Sequence, residues 1–103
     1  MAFSKLIKTN ELKEGGLCVV KTKYAPIVIC KIGGEVFAFE DACSHDGEEI
    51  SCGTLDADII TCPRHFAKFN VKTGAVVARP ATEPLTTYKT RISGDDIEVD
   101  LED

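Results

Sequence analysis

Each of the two histidines in this 103-residue chain follows closely on a cysteine. Cys43 is followed two positions later by His45, and after sixteen more residues Cys62 is followed three positions later by His65. Thiolate sulfur and imidazole nitrogen are both metal donors, so two such pairs within one short stretch form a possible ligand set. A tetrahedral structural zinc ion takes these donors, but zinc fingers usually group cysteines first and histidines second, whereas here they interleave. A cysteine nucleophile with a histidine base would use one pair and leave the other unexplained. A two-iron, two-sulfide centre in which two imidazoles replace two thiolates on one iron uses all four. The remaining reading, buried thiols beside surface histidines, requires the double pairing to be coincidental.

Donors in two separate loops must be brought to one point by what lies between them. The segment 58–62, DIITC, reads as a strand that carries the chain from the first pair to the second. Before it, LCVVKTK at 17–23 and IVICKI at 27–32 are rich in β-branched residues, and Gly33-Gly34 then separates IVICKI from EVFAFE as a hairpin turn. After it come KFNV and AVVA, divided by Lys72, Thr73 and Gly74. Leu85, Tyr88, Thr90 and Ile92 precede a turn at Ser93–Asp96, after which Ile97, Val99 and Leu101 alternate with acidic residues, as in a strand with one wet face. TNELKEGG at 9–16 has room for one helical turn, with Asn10 as its cap. No longer helix is expected. The pattern predicts an all-β fold, a small antiparallel sandwich, as a single domain over residues 1–103. The rhythm breaks at 42–56, ACSHDGEEISCGTLD, and again at CPRHF, the two places where the paired donors sit.

Composition narrows the class. A net charge of -5 with Lys and Arg scattered singly argues against a nucleic-acid partner. No apolar run approaches the roughly 18 to 20 residues of a membrane span, and the opening MAFSKLIKTNELKEGG lacks the apolar core of a secretory signal. The expectation is a cytoplasmic protein without a membrane anchor. Five cysteines, an odd number, then read as ligands or buried thiols rather than a disulfide frame.

The spacing C-x-H-x16-C-x-x-H, continued by CPRHFAKFNVKTGAVVARPATEPLTTYKTRISGDDIEVDL, resembles the Rieske family, and within it the soluble ferredoxins. The resemblance implies one Rieske-type [2Fe-2S] cluster bound by Cys43 and Cys62 on the inner iron and His45 and His65 on the outer one. It also implies a two-loop cluster-binding subdomain at about 41–70 on a β base domain. A cluster with two neutral imidazoles is less anionic than its all-cysteine equivalent, so it accepts an electron at higher potential. The function implied is electron transfer from a flavin-dependent reductase to a terminal oxygenase or similar acceptor, by a carrier rather than an enzyme. A small subunit of an assimilatory nitrite reductase shares the family's fold and is the alternative, beside a Cys2His2 zinc protein. Cys18 and Cys30 lie inside strands as buried thiols, and Cys52, with no histidine near it, is the weaker ligand candidate. Gly47 and Gly53 are candidates for bends that aim amides at the cluster, and Pro63 for stiffening the second loop. Arg79, Pro80 and Ala81 fall where family members have a third loop over the cluster. Asp41, Asp46, Glu48, Glu49, Asp56 and Asp58 place six carboxylates in or beside the first loop, a candidate surface for a basic partner.

Three departures bear on subgroup and on redox poise. Respiratory and photosynthetic Rieske proteins join their loops by a disulfide, at positions held here by Glu48 and Arg64. Oxygenase-type ferredoxins often flank the second histidine with an aromatic residue and a glycine, where this chain has Arg64 and Phe66. High-potential members place hydroxyl donors after that histidine, whereas Phe66, Ala67 and Lys68 follow here and no hydroxyl occurs before Thr73. With fewer donors and more acidic neighbours, the midpoint potential is expected near the lower limit of the Rieske range, roughly -150 mV rather than about +300 mV. Protein-film voltammetry measures it directly, and a value in the upper half of that range would contradict the donor argument.

Overall fold

The computed structural model describes residues 3–23, 25–43, 49–63, 66–79 and 83–101. Among them every strand pairing is antiparallel and no α-helix occurs, in agreement with the all-β expectation.

The strand Pro26–Ile32 (β3) carries an unbroken apolar run because both of its faces are covered. It pairs with Leu17–Lys21 (β2) on one side and Glu35–Glu40 (β4) on the other, and β4 in turn pairs with Thr87–Tyr88 (β9). On one face of this sheet Ile27, Ile29, Val36 and Ala38 join Leu12, Ile97 and Val99 in one packed cluster. On the other face Val28, Cys30 and Phe39 join Ile50, Ile60, Phe69, Val71 and Leu85 in a second. Two cores therefore lie back to back across one sheet.

The first core is closed by a sheet of Phe3–Lys8 (β1), Asp96–Asp100 (β11) and Thr90–Ser93 (β10), with β11 in the middle. The second is closed by the meander Thr54–Asp56 (β5), Ile59–Thr61 (β6), Lys68–Asn70 (β7) and Val76–Ala78 (β8). Short strands in the second sheet leave room for the two interruptions noted in the sequence.

Three local expectations change. β11 was expected to have a wet face, yet Glu98 is 7% exposed and Asp100 1%. As the middle strand it is flanked on both sides, and Glu98 is covered by Arg91, whose Nε lies 2.5 Å from Glu98 Oε1 while its guanidinium stacks 4.1 Å from the Phe3 ring centre. The helical turn at 9–16 is only a 3-10 turn over Thr9–Glu11, preceded by Lys8 and not capped by Asn10; the Lys8 amide donates to Glu11 Oε1 at 3.0 Å. The long interruption at 42–56 is not wholly irregular, since its last three residues form β5. β1 had no clear sequence signal, because its alternation is broken by a bulge between Lys5 and Ile7.

The β3–β4 hairpin turn is as expected and has an added clamp. Gly33 and Gly34 both take positive φ, 61° and 81°, the conformation of a type I′ turn. Their amides donate to the two carboxylate oxygens of Glu14 at 2.6 and 3.0 Å. These bonds hold the Glu14 carboxyl below its ordinary value of 4.5. A depressed folded-state pKa means that the clamp stabilises the fold above pH 4.5 and is lost as the pH falls through the folded value. Glu14→Gln should therefore speed amide exchange at Gly33 and Gly34 near neutrality, and this difference from the native chain should vanish in acid. Equal exchange in the two proteins at pH 7 would show the clamp to be without effect.

Candidate metal centre

Cys43 lies three residues beyond the end of β4, and Cys62 directly follows β6. Both side chains are fully buried and both belong to the second core, among Val28, Phe39, Ile50, Ile60, Ala67 and Phe69. The fold thus brings together, in one packed cluster, the two cysteines that each begin a Cys-His pair. His45 and His65 lie outside the described residues, as do Ser44, Asp46, Gly47, Glu48, Arg64, Pro80 and Ala81.

A loop that must hold a metal cannot satisfy its own backbone as a helix or strand does, so its ends have to be tied by other means. In the first loop the tie is Asp41, which is 3% exposed. Its Oδ1 accepts from the amides of Ile50 at 2.9 Å and Ser51 at 2.8 Å, and its Oδ2 accepts from the Ser51 hydroxyl at 2.8 Å. The Asp41 amide donates to the Pro26 carbonyl at 2.8 Å, which anchors this tie to β3. The second loop is closed by its own backbone. The Cys62 amide donates to the Ala67 carbonyl at 2.7 Å, and the Phe66 amide donates to the Cys62 carbonyl at 2.9 Å.

Gly53 was expected to permit a bend that aims amides at the cluster; what the structure shows there is a close approach of backbone to backbone, at an ordinary φ. A Cβ there would run into the Thr61 carbonyl and stand 3.0 Å from that of Ile50. Only a glycine lets the end of the first loop pass this close to the strand that leads into Cys62. Pro63 is exposed at the start of the second loop.

The other three cysteines separate from this pair. Cys30 is buried in the same core, but it lies mid-strand, and desolvation, with a smaller contribution from Cys18, pushes its thiol up to about 12. Cys18 packs on the opposite face of the sheet, so it cannot bridge to Cys30. Cys52 is exposed, with its sulfur 3.5 Å from the Glu49 carbonyl. All five cysteines are thiols rather than disulfides. Two buried thiols, set in tied loops in one core, fit the sulfur half of a mixed thiolate and imidazole ligand set.

Among the described residues, which leave out Asp46 and Glu48, the expected acidic surface is less concentrated than the sequence suggested. Asp41 is buried and occupied with backbone amides. Asp56 and Asp58 sit at the far end of the β5–β6 hairpin, because it is Thr54 and Thr61 that pair next to Cys62. Of the four of these carboxylates among the described residues, Glu49 alone is both exposed and on the Cys62 side.

Comparison with known proteins agrees with this geometry. The family model for the Rieske [2Fe-2S] domain matches residues 2–89. The chain belongs to the Rieske family. It is 41% identical over 102 residues to the ferredoxin component of biphenyl 2,3-dioxygenase from Rhodococcus jostii (strain RHA1), covering 99% of this chain and 95% of that protein. The ferredoxin of carbazole 1,9a-dioxygenase from Nocardioides aromaticivorans IC177 superposes with a TM-score of 0.89 at 27% identity, over 96% of this chain and 97% of that one. A ferredoxin-fold chain from the complex of reduced oxygenase and oxidized ferredoxin in carbazole 1,9a-dioxygenase superposes equally well, with a TM-score of 0.89 at 32% identity, over 94% of this chain and 91% of that one. This Rieske domain accordingly carries one [2Fe-2S] cluster of that type.

Sequence reasoning did not find Asp41 as the loop tie, and counted it with the surface charges. The available signal was its place at the end of a strand and ahead of a long loop, where a carboxylate commonly caps backbone amides. Asp41→Ala would leave two loop amides without their acceptor and is expected to destabilise the Rieske domain by about 3 kcal/mol. Asp41→Asn, which keeps one acceptor oxygen, should cost less. Denaturant unfolding of both variants, followed together with the visible absorbance of the cluster, checks the order and shows whether cluster loss precedes global unfolding.

Proposed function

We propose that Cys43, His45, Cys62 and His65 bind the cluster, with the two cysteines on the inner iron and the two histidines on the outer one. The observation that carries this assignment is the burial of Cys43 and Cys62 in one core at the starts of two tied loops. We take residues 1–103 as one Rieske domain with its cluster-binding part at about 41–70. When bound, the cluster takes up and gives back a single electron. The chain's own residues keep water from the sulfur donors, through Ile50, Ile60 and Phe69, and hold both loops still, through Asp41 and the Cys62–Ala67 bond. A rigid, dry setting of this kind limits reorganisation when the charge changes.

The protein is the electron-carrying component of a dioxygenase-type system, not its catalytic component. The matched ferredoxin chain of known structure comes from a complex with its oxygenase, which supports a terminal oxygenase as the acceptor here. A flavin-dependent reductase is the donor in this reading. No helix among the described residues is long and apolar enough to cross a membrane, and the unbridged cysteines suit a reducing cytoplasm. Neither the nitrite reductase subunit nor the zinc protein finds support in relatives named as dioxygenase ferredoxins.

Purified protein should be red-brown, with about two irons and two acid-labile sulfides per chain. His45→Ala and His65→Ala should abolish the Rieske electron paramagnetic resonance signal, whereas Cys52→Ser and Cys30→Ala should keep it. Reduced protein mixed without oxygen with the oxygenase components of biphenyl and carbazole dioxygenase systems should be reoxidised by at least one of them. Colourless protein holding zinc would reject the assignment, and reduced protein stable toward every oxygenase would reject the carrier role.

A further inference from the structure

Phe66, the residue after His65, combines two unfavourable features. It is 69% exposed, the most exposed of the large hydrophobic side chains among the described residues, where Val77, Ile92 and Val19 reach 52%, 49% and 40%. It also has a φ of 62°, in the left-handed region that glycine and asparagine occupy with little strain and a bulky aromatic does not. The other non-glycine residue with positive φ is Ala57, in the tight turn between β5 and β6, where the turn itself accounts for it. At Phe66 the backbone is held from both sides by Cys62, through the Phe66 amide to the Cys62 carbonyl and the Cys62 amide to the Ala67 carbonyl. The ring is thus kept out in solvent by a pinned loop. It packs into neither of the two cores, so folding stability does not account for it.

The charges around it narrow the kind of partner. Among the described residues the carboxylates once expected to form a docking surface divide: Asp41 is buried, Asp56 and Asp58 sit at the far end of the β5–β6 hairpin, and Glu49 is exposed on the Cys62 side. Lys68, close by in sequence, is exposed and basic. Among the described residues Phe66 and the exposed Pro63 offer apolar surface, while the exposed Glu49 and Lys68 carry opposite charges, so neither sign dominates.

We infer that Phe66 is a specificity-determining anchor, an exposed ring on a pinned backbone that inserts into an apolar pocket on the terminal oxygenase beside the point of electron entry. A backbone already fixed at the contact residue loses little freedom on docking, and aromatic anchors in desolvated pockets dominate many interfaces. This inference rests on the carrier role proposed above.

The test uses holo-protein and whichever oxygenase component the native chain reduces. Phe66→Gly and Phe66→Asn fit the left-handed backbone and remove the ring, and Phe66→Tyr keeps it. Titration calorimetry should show Kd for the oxygenase raised roughly tenfold or more in the Gly and Asn variants and near the native value in the Tyr variant. Their unfolding temperatures should equal or exceed that of the native chain, and the resonance spectrum of the reduced cluster should be unchanged. Native affinity in the Gly and Asn variants would overturn the anchor while leaving the carrier role intact. Weakened binding accompanied by a lower unfolding temperature or an altered spectrum would also overturn it, since the ring would then act through the fold. If the native chain reduces no oxygenase at all, the carrier role fails and the anchor with it.

Discussion

The structure depends on a buried carboxylate that substitutes for missing secondary structure. Between the end of β4 and the start of β5 the chain must turn through a long segment that carries the first Cys-His pair. Asp41 supplies three acceptor positions to Ile50 and Ser51 and so fixes both ends of this segment to the middle sheet. A charged acceptor is stronger than a neutral one, and burial keeps water from competing for the same amides. Cys43 lies two residues after this tie and is fully buried.

The second loop solves the same problem in a different way. Its cysteine follows a strand directly, and a pair of backbone bonds around Cys62 closes the turn without help from a side chain. One loop is long and braced by a carboxylate, the other short and braced by itself. Gly53 is where they meet, since only the absence of a side chain lets the end of the first loop lie against the Thr61 carbonyl. Both donors can thus belong to one core although eighteen residues separate them in the chain.

The back-to-back arrangement of the cores divides the work of the molecule. The core between the middle sheet and β1, β11 and β10 contains no candidate ligand, and it serves as the foundation on which β3 and β4 are held. The core on the other face contains Cys43 and Cys62 together with the chemically quiet Cys30. A strand such as β3, which contributes alternate residues to both, couples the stability of the foundation to that of the metal centre. Loosening Ile27 or Ile29 would be felt at Val28 and Cys30 through the same backbone.

How much of this could be read without coordinates depended on the kind of signal. The candidate ligands proposed above came from the sequence, because donor chemistry resides in residue type and the spacing of two cysteines and two histidines resembles the Rieske pattern. The hairpin at Gly33-Gly34 was legible as well, since a pair of positive φ angles needs glycine and depends on nothing distant. The all-β class followed from strand rhythm. Burial of acidic residues was not legible: Glu98 and Asp100 alternate with apolar neighbours just as a half-wet strand would, and only the placement of β11 between β1 and β10, with Arg91 over Glu98 and in turn against Phe3, decided otherwise. Nor could the sequence tell Asp41 from the carboxylates around it, because its role is set by amides nine and ten residues away. Residue types and their spacing by themselves offered the candidate cluster ligands. The tertiary structure decided which charges are spent inside the fold and which side chain, Phe66, is held out in solvent, because those outcomes depend on what packs against each residue and not on its own type.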